Sequence, residues 1–437
     1  MRISIIDADL IERSKHRFPN LASMKISAYH KSIGDEVKLI TNYNDLYYNQ
    51  DCWTNYQVAA QKYVKKQSEK NKAILNDCTA LCFKESNIKF DKVYISKVFT
   101  DTPMDENLLK LSIVEYGGTG FFYDKAPKLP YEIEHIKPDY DLYNEWVAQK
   151  IAEGCKRNDF TYYLDYSIGF LTRGCFRQCQ FCVNKNYKKC ETHSSVLEFM
   201  DDQRPKLCFL DDNFFACPQW KDIISQVKST NKRFQFKQGL DERLITDEKI
   251  HELMSWKYDG DYIFAFDNIE DRELIESKLK RIHELYPTTK KHFKFYVLCG
   301  YDRNEKWDND FWEKDIADTF ERIKILSEYS ALPYIMRYEK CYTSEFAGVY
   351  STLAGWCNQP SIFKKFSYRD YCKCKGMGDK NYSKYHRDYD RYINEVGTKG
   401  AAWKYMEQLE DKFPNIAKQY FDFMPSKIAK YGCDIND

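Results

Sequence analysis

Three cysteines with short, unequal spacing are the most chemically distinctive residues of this chain. Cys175, Cys179 and Cys182 are separated by three and then two residues, and Phe181 directly precedes the third. Thiolates at this spacing can bind three irons of a four-iron cluster and leave the fourth iron open to a chelating small molecule. A zinc site would need a further ligand such as Cys190, and buried structural thiols are a third interpretation.

Regularly alternating strand and helix patterns surround these cysteines and must position them. Six strand–helix units of this kind predict a partial (β/α)6 TIM-like barrel, whose active site lies at the carboxyl ends of its strands. The cysteines follow the first predicted strand and so lie at its carboxyl end. The predicted strands span 168–172, 206–211, 233–237, 261–266, 292–298 and 332–336, and helices are predicted over 219–228, 247–256, 271–285 and 310–329.

The amino-terminal part has a different pattern, typical of an open parallel α/β (Rossmann-like) domain. Strands are predicted over 2–7, 36–40, 90–98 and 111–116, with a helix over 21–31 and a helical insertion over 43–89. The last strand runs into Gly117-Gly118-Thr119-Gly120, which is either a ligand-access turn or a tight bend. The predicted domains are therefore 1–145, 160–340, and an aromatic-rich flap with a helical cap over 341–437.

The composition predicts a soluble, cytoplasmic enzyme. The chain has 437 residues, and its 67 basic against 66 acidic residues provide no overall charge to attract nucleic acid. No run approaches the roughly 20 apolar residues that a membrane helix needs. In a large cytosolic protein, sixteen cysteines indicate cluster ligands and reduced thiols more than disulfides.

The segment from Gly169 to Cys182 resembles the cluster loop of radical S-adenosylmethionine enzymes, with three cysteines at this spacing and an aromatic residue before the third. Residues 1 to about 370 also resemble a bacterial and phage-type subgroup of that superfamily, whose barrel follows a cobalamin-binding-like domain. The segments that carry this second resemblance are 18–30, 94–99, 115–120 and 133–140.

The resemblance implies a [4Fe-4S] cluster whose open iron chelates S-adenosylmethionine, and reductive cleavage to a 5′-deoxyadenosyl radical that abstracts a substrate hydrogen. It also implies cofactor contacts at the strand ends. Asp211 and Asp212 would meet the amino group, with a helix cap as the alternative, and Arg243 would meet the carboxylate, with a surface ion pair as the alternative. The complete set is Phe181, Asp211, Asp212, Gln238, Arg243, Asp267 for the ribose and Gly300 for the adenine.

Several functional alternatives stay open at this level. None of the eight histidines lies in the signature that ligates cobalt, so cobalamin is neither required nor excluded. The expected partner is an electron donor such as flavodoxin or ferredoxin, while the sequence gives nucleic acid no support as a partner and leaves the substrate unidentified. Methyl or methylthio transfer to RNA or peptide is an alternative reaction. A non-enzymatic binding protein stabilised by a metal is the alternative class.

Overall fold

The chain forms two compact units in a computed structural model that describes residues 1–185 and 187–431. The first unit comprises Met1–Leu210 and Lys221–Phe234, and the second comprises Asp211–Trp220 and Gln235–Asp437. Both contain parallel β-sheets and many helices, which confirms the α/β class. The division into 1–145, 160–340 and 341–437 stays a prediction, and residues 432–437 of the expected cap lie outside the described residues.

A four-stranded parallel sheet organises the amino-terminal part of the first unit. Its strands are β1 (Arg2–Asp7), β2 (Glu36–Ile40), β3 (Lys92–Ser96) and β4 (Val114–Gly117), in the spatial order β2-β1-β3-β4. Ile3, Ile5 and Ile6 of the central strand β1 are buried. The chain passes from β1 to β2 on one side and returns to β3 on the other. The topological switch point of the sheet therefore lies between β1 and β3.

The helices of the first unit begin at polar capping residues in several places. The Asn20 side chain accepts a hydrogen bond from the Ser23 N–H at 3.1 Å, which fixes the start of α2. These helices are α1 (Ala8–Glu12), α2 (Leu21–Ser32), α3 (Cys52–Lys65), α4 (Glu69–Cys82), α5 (Glu106–Leu109), α6 (Thr119–Phe122), α7 (Tyr131–Glu134), α8 (Asn144–Ala152), α9 (Thr161–Leu164) and α10 (Val196–Phe199).

The region predicted as a helical insertion contains α3 and α4, which pack against each other. Trp53 and Cys82 from these helices are buried in the same hydrophobic cluster as Ile95 of β3. An isolated antiparallel β-bridge between Tyr47 and Ile88 joins the two ends of the region. The insertion is thus attached to the sheet by a shared core and by paired ends.

The first unit also holds the strands that flank the three cysteines. β5 (Tyr166–Gly169) and β8 (Lys206–Phe209) are parallel neighbours, and β9 (Arg233–Phe236) follows β8 in the same sheet. Between β5 and β8, the short strands β6 (Thr172–Arg173) and β7 (Glu191–Thr192) pair in antiparallel fashion. The cysteines lie in the loop that this pair closes. α11 (Trp220–Ser229) connects β8 to β9.

A parallel sheet of three strands lies in the second unit. These strands are β10 (Tyr262–Ala265), β11 (Phe293–Cys299) and β12 (Leu332–Arg337). The Leu240 N–H, shortly after β9, donates to the Ile263 carbonyl of β10 at 2.8 Å. The helices that precede β10, β11 and β12 are α12 (Asp247–Ser255), α13 (Arg272–Leu285) and α14 (Asn309–Glu328), respectively.

The rest of the second unit is helical and rich in buried aromatic side chains. Trp356, Tyr368 and Phe421 are buried and their rings are in contact with one another or with Phe320 of α14. The helices are α15 (Ala347–Cys357), α16 (Pro360–Phe363), α17 (Tyr368–Met377), α18 (Asp379–Tyr385), α19 (Tyr389–Glu395), α20 (Ala401–Lys412), α21 (Pro414–Tyr420) and α22 (Pro425–Ile428). Within the described residues, no helix is both long enough and apolar enough to cross a lipid bilayer.

Candidate functional site

The loop that carries the three cysteines has its two ends held together by strand pairing. Thr172 of β6 lies opposite Thr192 of β7, and Arg173 lies opposite Glu191. Gly174, the first loop residue, has φ +98°, and a Cβ atom there would lie 2.2 Å from the Lys189 carbonyl oxygen. Only glycine fits this position, because the returning chain occupies the space of a side chain.

Backbone N–H groups donate to the sulfur atoms of Cys175 and Cys182. The Arg177 N–H points to Cys175 Sγ at 3.4 Å, and the Asn184 N–H points to Cys182 Sγ at 3.4 Å. The Cys182 N–H donates to the Cys179 carbonyl at 3.0 Å, which tightens the turn between the second and third cysteines. Hydrogen bonds from N–H groups to cysteine sulfurs are one of the features that tune iron–sulfur clusters.

The cysteine side chains therefore fit an iron–sulfur cluster in donor chemistry and environment. All three are half-buried, so they are neither sealed in a core nor fully open to water. Among residues 1–185 and 187–431, no three His, Cys, Asp or Glu side chains converge on one position for a single ion. A four-iron cluster has a different requirement, because each cysteine binds its own iron.

Contacts within the first unit hold the loop in place. The Gln178 side chain, on a backbone with φ +49°, donates to the carbonyls of Cys175 at 3.1 Å and Tyr187 at 2.5 Å. The Tyr123 hydroxyl donates to the Phe181 carbonyl at 3.1 Å. Phe181 thus has its backbone fixed by the segment that follows α6, while its ring is half-buried. These contacts limit the conformations of the loop.

Asp211 and Asp212 follow β8 and belong to the second unit. Asp211 is fully buried, whereas Asp212 is half-buried. The next residue, Asn213, donates from its side chain to Asp241 Oδ2 at 3.2 Å. The segment after β8 is thereby joined to the segment after β9, which is the arrangement that neighbouring parallel strands produce at their carboxyl ends.

The segment after β9 places Gln238 and Arg243 in different surroundings. Gln238 is exposed. Arg243 Nε donates to Asp241 Oδ1 at 2.7 Å, and its Nη1 lies 3.4 Å from Asp271 Oδ2. Arg243 is thus part of an ion-pair network with two carboxylates, which matches the alternative that the sequence left open for it. A contact between Arg243 and a ligand carboxylate stays a prediction.

Glu242 is a buried carboxyl group at this edge that the sequence did not single out. It is 2% exposed, and its Oε2 accepts the Ala265 N–H at 3.2 Å. No described residue hydrogen-bonds its buried Oε1. Burial raises the pKa of Glu242 to about 8. The only sequence signal was its place in a charged run shortly after β9, Asp241-Glu242-Arg243, and charged residues in such runs usually face solvent.

Asp267 follows β10 and is anchored to the neighbouring strand end. Its Oδ1 accepts the Leu298 N–H at 3.3 Å. The buried Arg322 guanidinium donates to the carbonyls of Asp267 at 2.7 Å and Leu298 at 2.9 Å. Burial raises the pKa of Asp267, and Arg322 partly opposes that effect. One Asp267 oxygen is therefore committed to the fold.

Gly300 follows β11 and makes room for a sulfur atom of this chain. Its φ is +74°, and a Cβ atom there would lie 2.2 Å from Cys341 Sγ. The Gly300 N–H donates to Asp315 Oδ2 at 2.9 Å, and its carbonyl accepts from the Trp307 indole at 3.2 Å. The sequence predicted that Gly300 lets adenine approach the backbone closely. In the structure, Cys341 Sγ is the group that approaches Gly300. An adenine contact at Gly300 stays a prediction.

Hydrogen bonds link the loops at the switch point of the first sheet. Asp9, after β1, accepts the Val98 N–H at 2.7 Å and the Thr102 hydroxyl, both from the loop after β3. The Asn20 side chain donates to Ser96 Oγ at 2.8 Å. These bonds join the two loops between which a ligand of a parallel α/β sheet would lie.

The glycine turn after β4 has a packing role at the same edge. Gly118 has φ +105°, and a Cβ atom there would lie 2.3 Å from the Lys97 carbonyl oxygen. A Cβ atom on Gly120 would lie 2.7 Å from Lys97 Cγ. Of the two interpretations of this turn, a ligand-access turn and a tight bend, its close packing on Lys97 favours the tight bend. Together with the bonded loops, it makes this edge closely packed, and cobalamin binding at the first unit stays a prediction.

Comparisons with known proteins give a likeness to solved structures and no family. No protein-family model and no curated protein matches the chain. Among solved structures, the chain is similar to the cobalamin-dependent S-adenosylmethionine radical enzyme OxsB with aqua-cobalamin bound, at 11% identity and a TM-score of 0.31. The match covers 98% of this chain, and this chain spans 58% of that one. A likeness at this level is too weak to transfer fold details or function.

Proposed function

We propose that this chain is a radical S-adenosylmethionine enzyme whose [4Fe-4S] cluster is held by Cys175, Cys179 and Cys182. The observation that carries the proposal is the cysteine loop itself. Its sequence spacing suits three ligands to one cluster, and backbone N–H groups donate to the sulfurs of Cys175 and Cys182 at 3.4 Å. When bound, a reduced cluster supplies the electron that cleaves S-adenosylmethionine to a 5′-deoxyadenosyl radical.

The proposal includes a partial (β/α)6 barrel made by the six strands from β5 to β12 other than β6 and β7. These strands form two three-stranded sheets in chain order, β5-β8-β9 and β10-β11-β12. The hydrogen bond between the Leu240 N–H and the Ile263 carbonyl supports a continuation from β9 to β10. In such a barrel the carboxyl ends of the strands would line the active site.

Several residues of the second unit would then serve S-adenosylmethionine. Asp212 is half-buried, and its carboxyl group is suited to the cationic amino group. Asp211 is fully buried and would act on the amino group at longer range. Asp267 would hold the ribose hydroxyls with the oxygen that Leu298 does not bind. Arg243 would have to share its guanidinium between Asp241 and the ligand carboxylate. Phe181, Gln238 and Gly300 complete the proposed set.

Anaerobic reconstitution with iron and sulfide tests the proposal. We expect a brown protein with about four irons per chain, and release of 5′-deoxyadenosine when S-adenosylmethionine and dithionite are added. Cys179→Ala should lose both properties. Cys155→Ala is the matched control, because Cys155 is also half-buried but lies outside the loop.

A structural zinc site is the outcome that would contradict the proposal. Cys190 is 5% exposed and lies at the end of the same loop, and a structural zinc would need it, or another residue, as a fourth ligand. One zinc per chain that survives reconstitution, together with no 5′-deoxyadenosine, would favour a metal-stabilised binding protein.

A further inference from the structure

A positively charged surface lies around the cysteine loop, and we call it the loop face. It consists of residues 123–128 and the described residues of 173–189, both in the first unit. The two segments are joined by the hydrogen bond of 3.1 Å between the Tyr123 hydroxyl and the Phe181 carbonyl. Tyr123 and Phe176 are 40% and 45% exposed, so the surface also presents aromatic rings to solvent.

Two further contacts make the loop face a single surface. Lys185 Nζ lies 4.0 Å from Asp124 Oδ2. Lys128 Nζ lies 4.4 Å from the centre of the Tyr187 ring. Each contact connects one segment to the other, so the charges of both segments act on the same partner.

The loop face has a large excess of positive charge. It contains seven basic residues and one acidic residue, and Glu191 just beyond it pairs with Lys189 at 2.6 Å, whereas the whole chain has a net charge of +1. Between Asp165 and Glu191 the sequence has no acidic residue at all. The basic residues are Lys125, Lys128, Arg173, Arg177, Lys185, Lys188 and Lys189.

We infer that the loop face is the docking surface for a small acidic one-electron carrier protein. This inference rests on the proposed function, because a cluster held by the three cysteines must receive one electron from outside the chain. The carrier loses one electron, the cluster gains it, and no covalent bond forms or breaks. Electron transfer requires close approach, so the carrier must dock near the cysteines. The excess of positive charge there suits an acidic partner and would speed its association.

The aromatic rings of the loop face favour a protein partner over a single-stranded nucleic acid. Nucleic acid binding uses open ring faces on which bases stack. Here the Arg177 guanidinium lies 4.7 Å from the Phe176 ring centre. The Tyr187 ring is approached by Lys128 at 4.4 Å and by Arg173 at 5.4 Å. Basic side chains therefore already lie against the rings of Phe176 and Tyr187.

Charge reversal on the loop face tests the inference by direct binding. The variant Lys125→Glu/Lys188→Glu/Lys189→Glu changes three exposed side chains without altering a cysteine. We expect the reconstituted protein to bind fluorescently labelled flavodoxin at low salt, and the variant to bind it at least about tenfold more weakly. A matched control reverses three exposed lysines of the insertion, Lys66, Lys70 and Lys72, and should bind like the unchanged protein.

Two reductants separate the docking surface from the chemistry. With dithionite, which needs no docking surface, the loop-face variant and the unchanged protein should release 5′-deoxyadenosine at the same rate. With reduced flavodoxin, the variant should be at least about tenfold slower. Equal rates with flavodoxin would overturn the docking inference alone. No product from the unchanged protein with either reductant would overturn the proposed function. Tight binding of a labelled single-stranded oligonucleotide, without flavodoxin binding, would overturn the carrier assignment in favour of nucleic acid.

Discussion

Replacement of Glu242 by glutamine should make the stability of the second unit less dependent on pH. The Glu242 side chain is 2% exposed, and no described residue hydrogen-bonds its Oε1. Burial raises its pKa from 4.5 to about 8, so the folded protein holds the carboxyl group in its protonated form at neutral pH. Glutamine has nearly the same shape, cannot ionise, and keeps an oxygen to accept the Ala265 N–H.

The magnitude follows from the two pKa values. Between pH 4.5 and about pH 8 the folded state holds one proton more than the unfolded state, so the free energy of unfolding falls as the pH rises. Each pH unit in this window removes about 1.4 kcal/mol of stability, or roughly 4–5 kcal/mol in total. Below the window both states are protonated, and the contribution is constant.

Urea unfolding at several pH values between about 5 and 8 measures this effect. Tryptophan fluorescence is a suitable signal, because six of the eight tryptophans lie in the second unit. We expect the difference in unfolding free energy between Glu242→Gln and the unchanged protein to grow in favour of the variant as the pH rises. Those tryptophans are Trp220, Trp256, Trp307, Trp312, Trp356 and Trp403.

Glu273→Gln serves as the control, because Glu273 is exposed on α13 and belongs to the same unit. Its unfolding free energy should change with pH as that of the unchanged protein does. Curves for Glu242→Gln that run parallel to those of the unchanged protein would refute the assignment of a buried, protonated carboxyl group.

Three further substitutions test the backbone positions described above. Gly300→Ala should lower the stability of the second unit by about 2–3 kcal/mol, because φ is +74° and the added Cβ would lie 2.2 Å from Cys341 Sγ. If Cys341→Ala restores none of this loss in urea unfolding, the contact between the two residues is unimportant. Gly174→Ala should reduce iron content after reconstitution, since its Cβ would lie 2.2 Å from a backbone oxygen, and unchanged iron would contradict that reasoning. Asp9→Ala removes the acceptor of the Val98 N–H and should lower the stability of the first unit by about 2–4 kcal/mol. An unchanged melting temperature would show that water replaces the lost carboxylate as acceptor.

Sequence periodicity was enough to predict the strands of the parallel sheets to within a few residues. The segment 292–298 corresponds to β11 (Phe293–Cys299), and 332–336 corresponds to β12 (Leu332–Arg337). β5 begins at Tyr166 and ends at Gly169, earlier than predicted, and Gly169 packs so closely on the Phe199 ring that a Cβ there would lie 2.5 Å from it. Close packing of this kind depends on residues distant in sequence, so no local pattern could indicate it.

The site was harder to predict, because its details depend on which partner each polar group finds. Cysteine spacing alone identified the loop, yet it could not reveal that Gly300 accommodates Cys341 or that Arg243 pairs with Asp241. It also could not show that Glu242 is buried while Gln238, four residues earlier, is exposed. These outcomes follow from chain crossings and from competition among neighbouring charges, which a single sequence does not specify.

The pairing of β6 with β7 has a consequence for metal affinity. Because Thr172 and Thr192 lie opposite each other, the ends of the cysteine loop are already together before any ligand arrives. The entropy cost of closing the loop is therefore met when the protein folds, which would favour binding of the proposed cluster by the three cysteines. Retention of a cluster or metal should then depend on how often this small hairpin opens, so the rate of metal loss would report on the local stability of the hairpin.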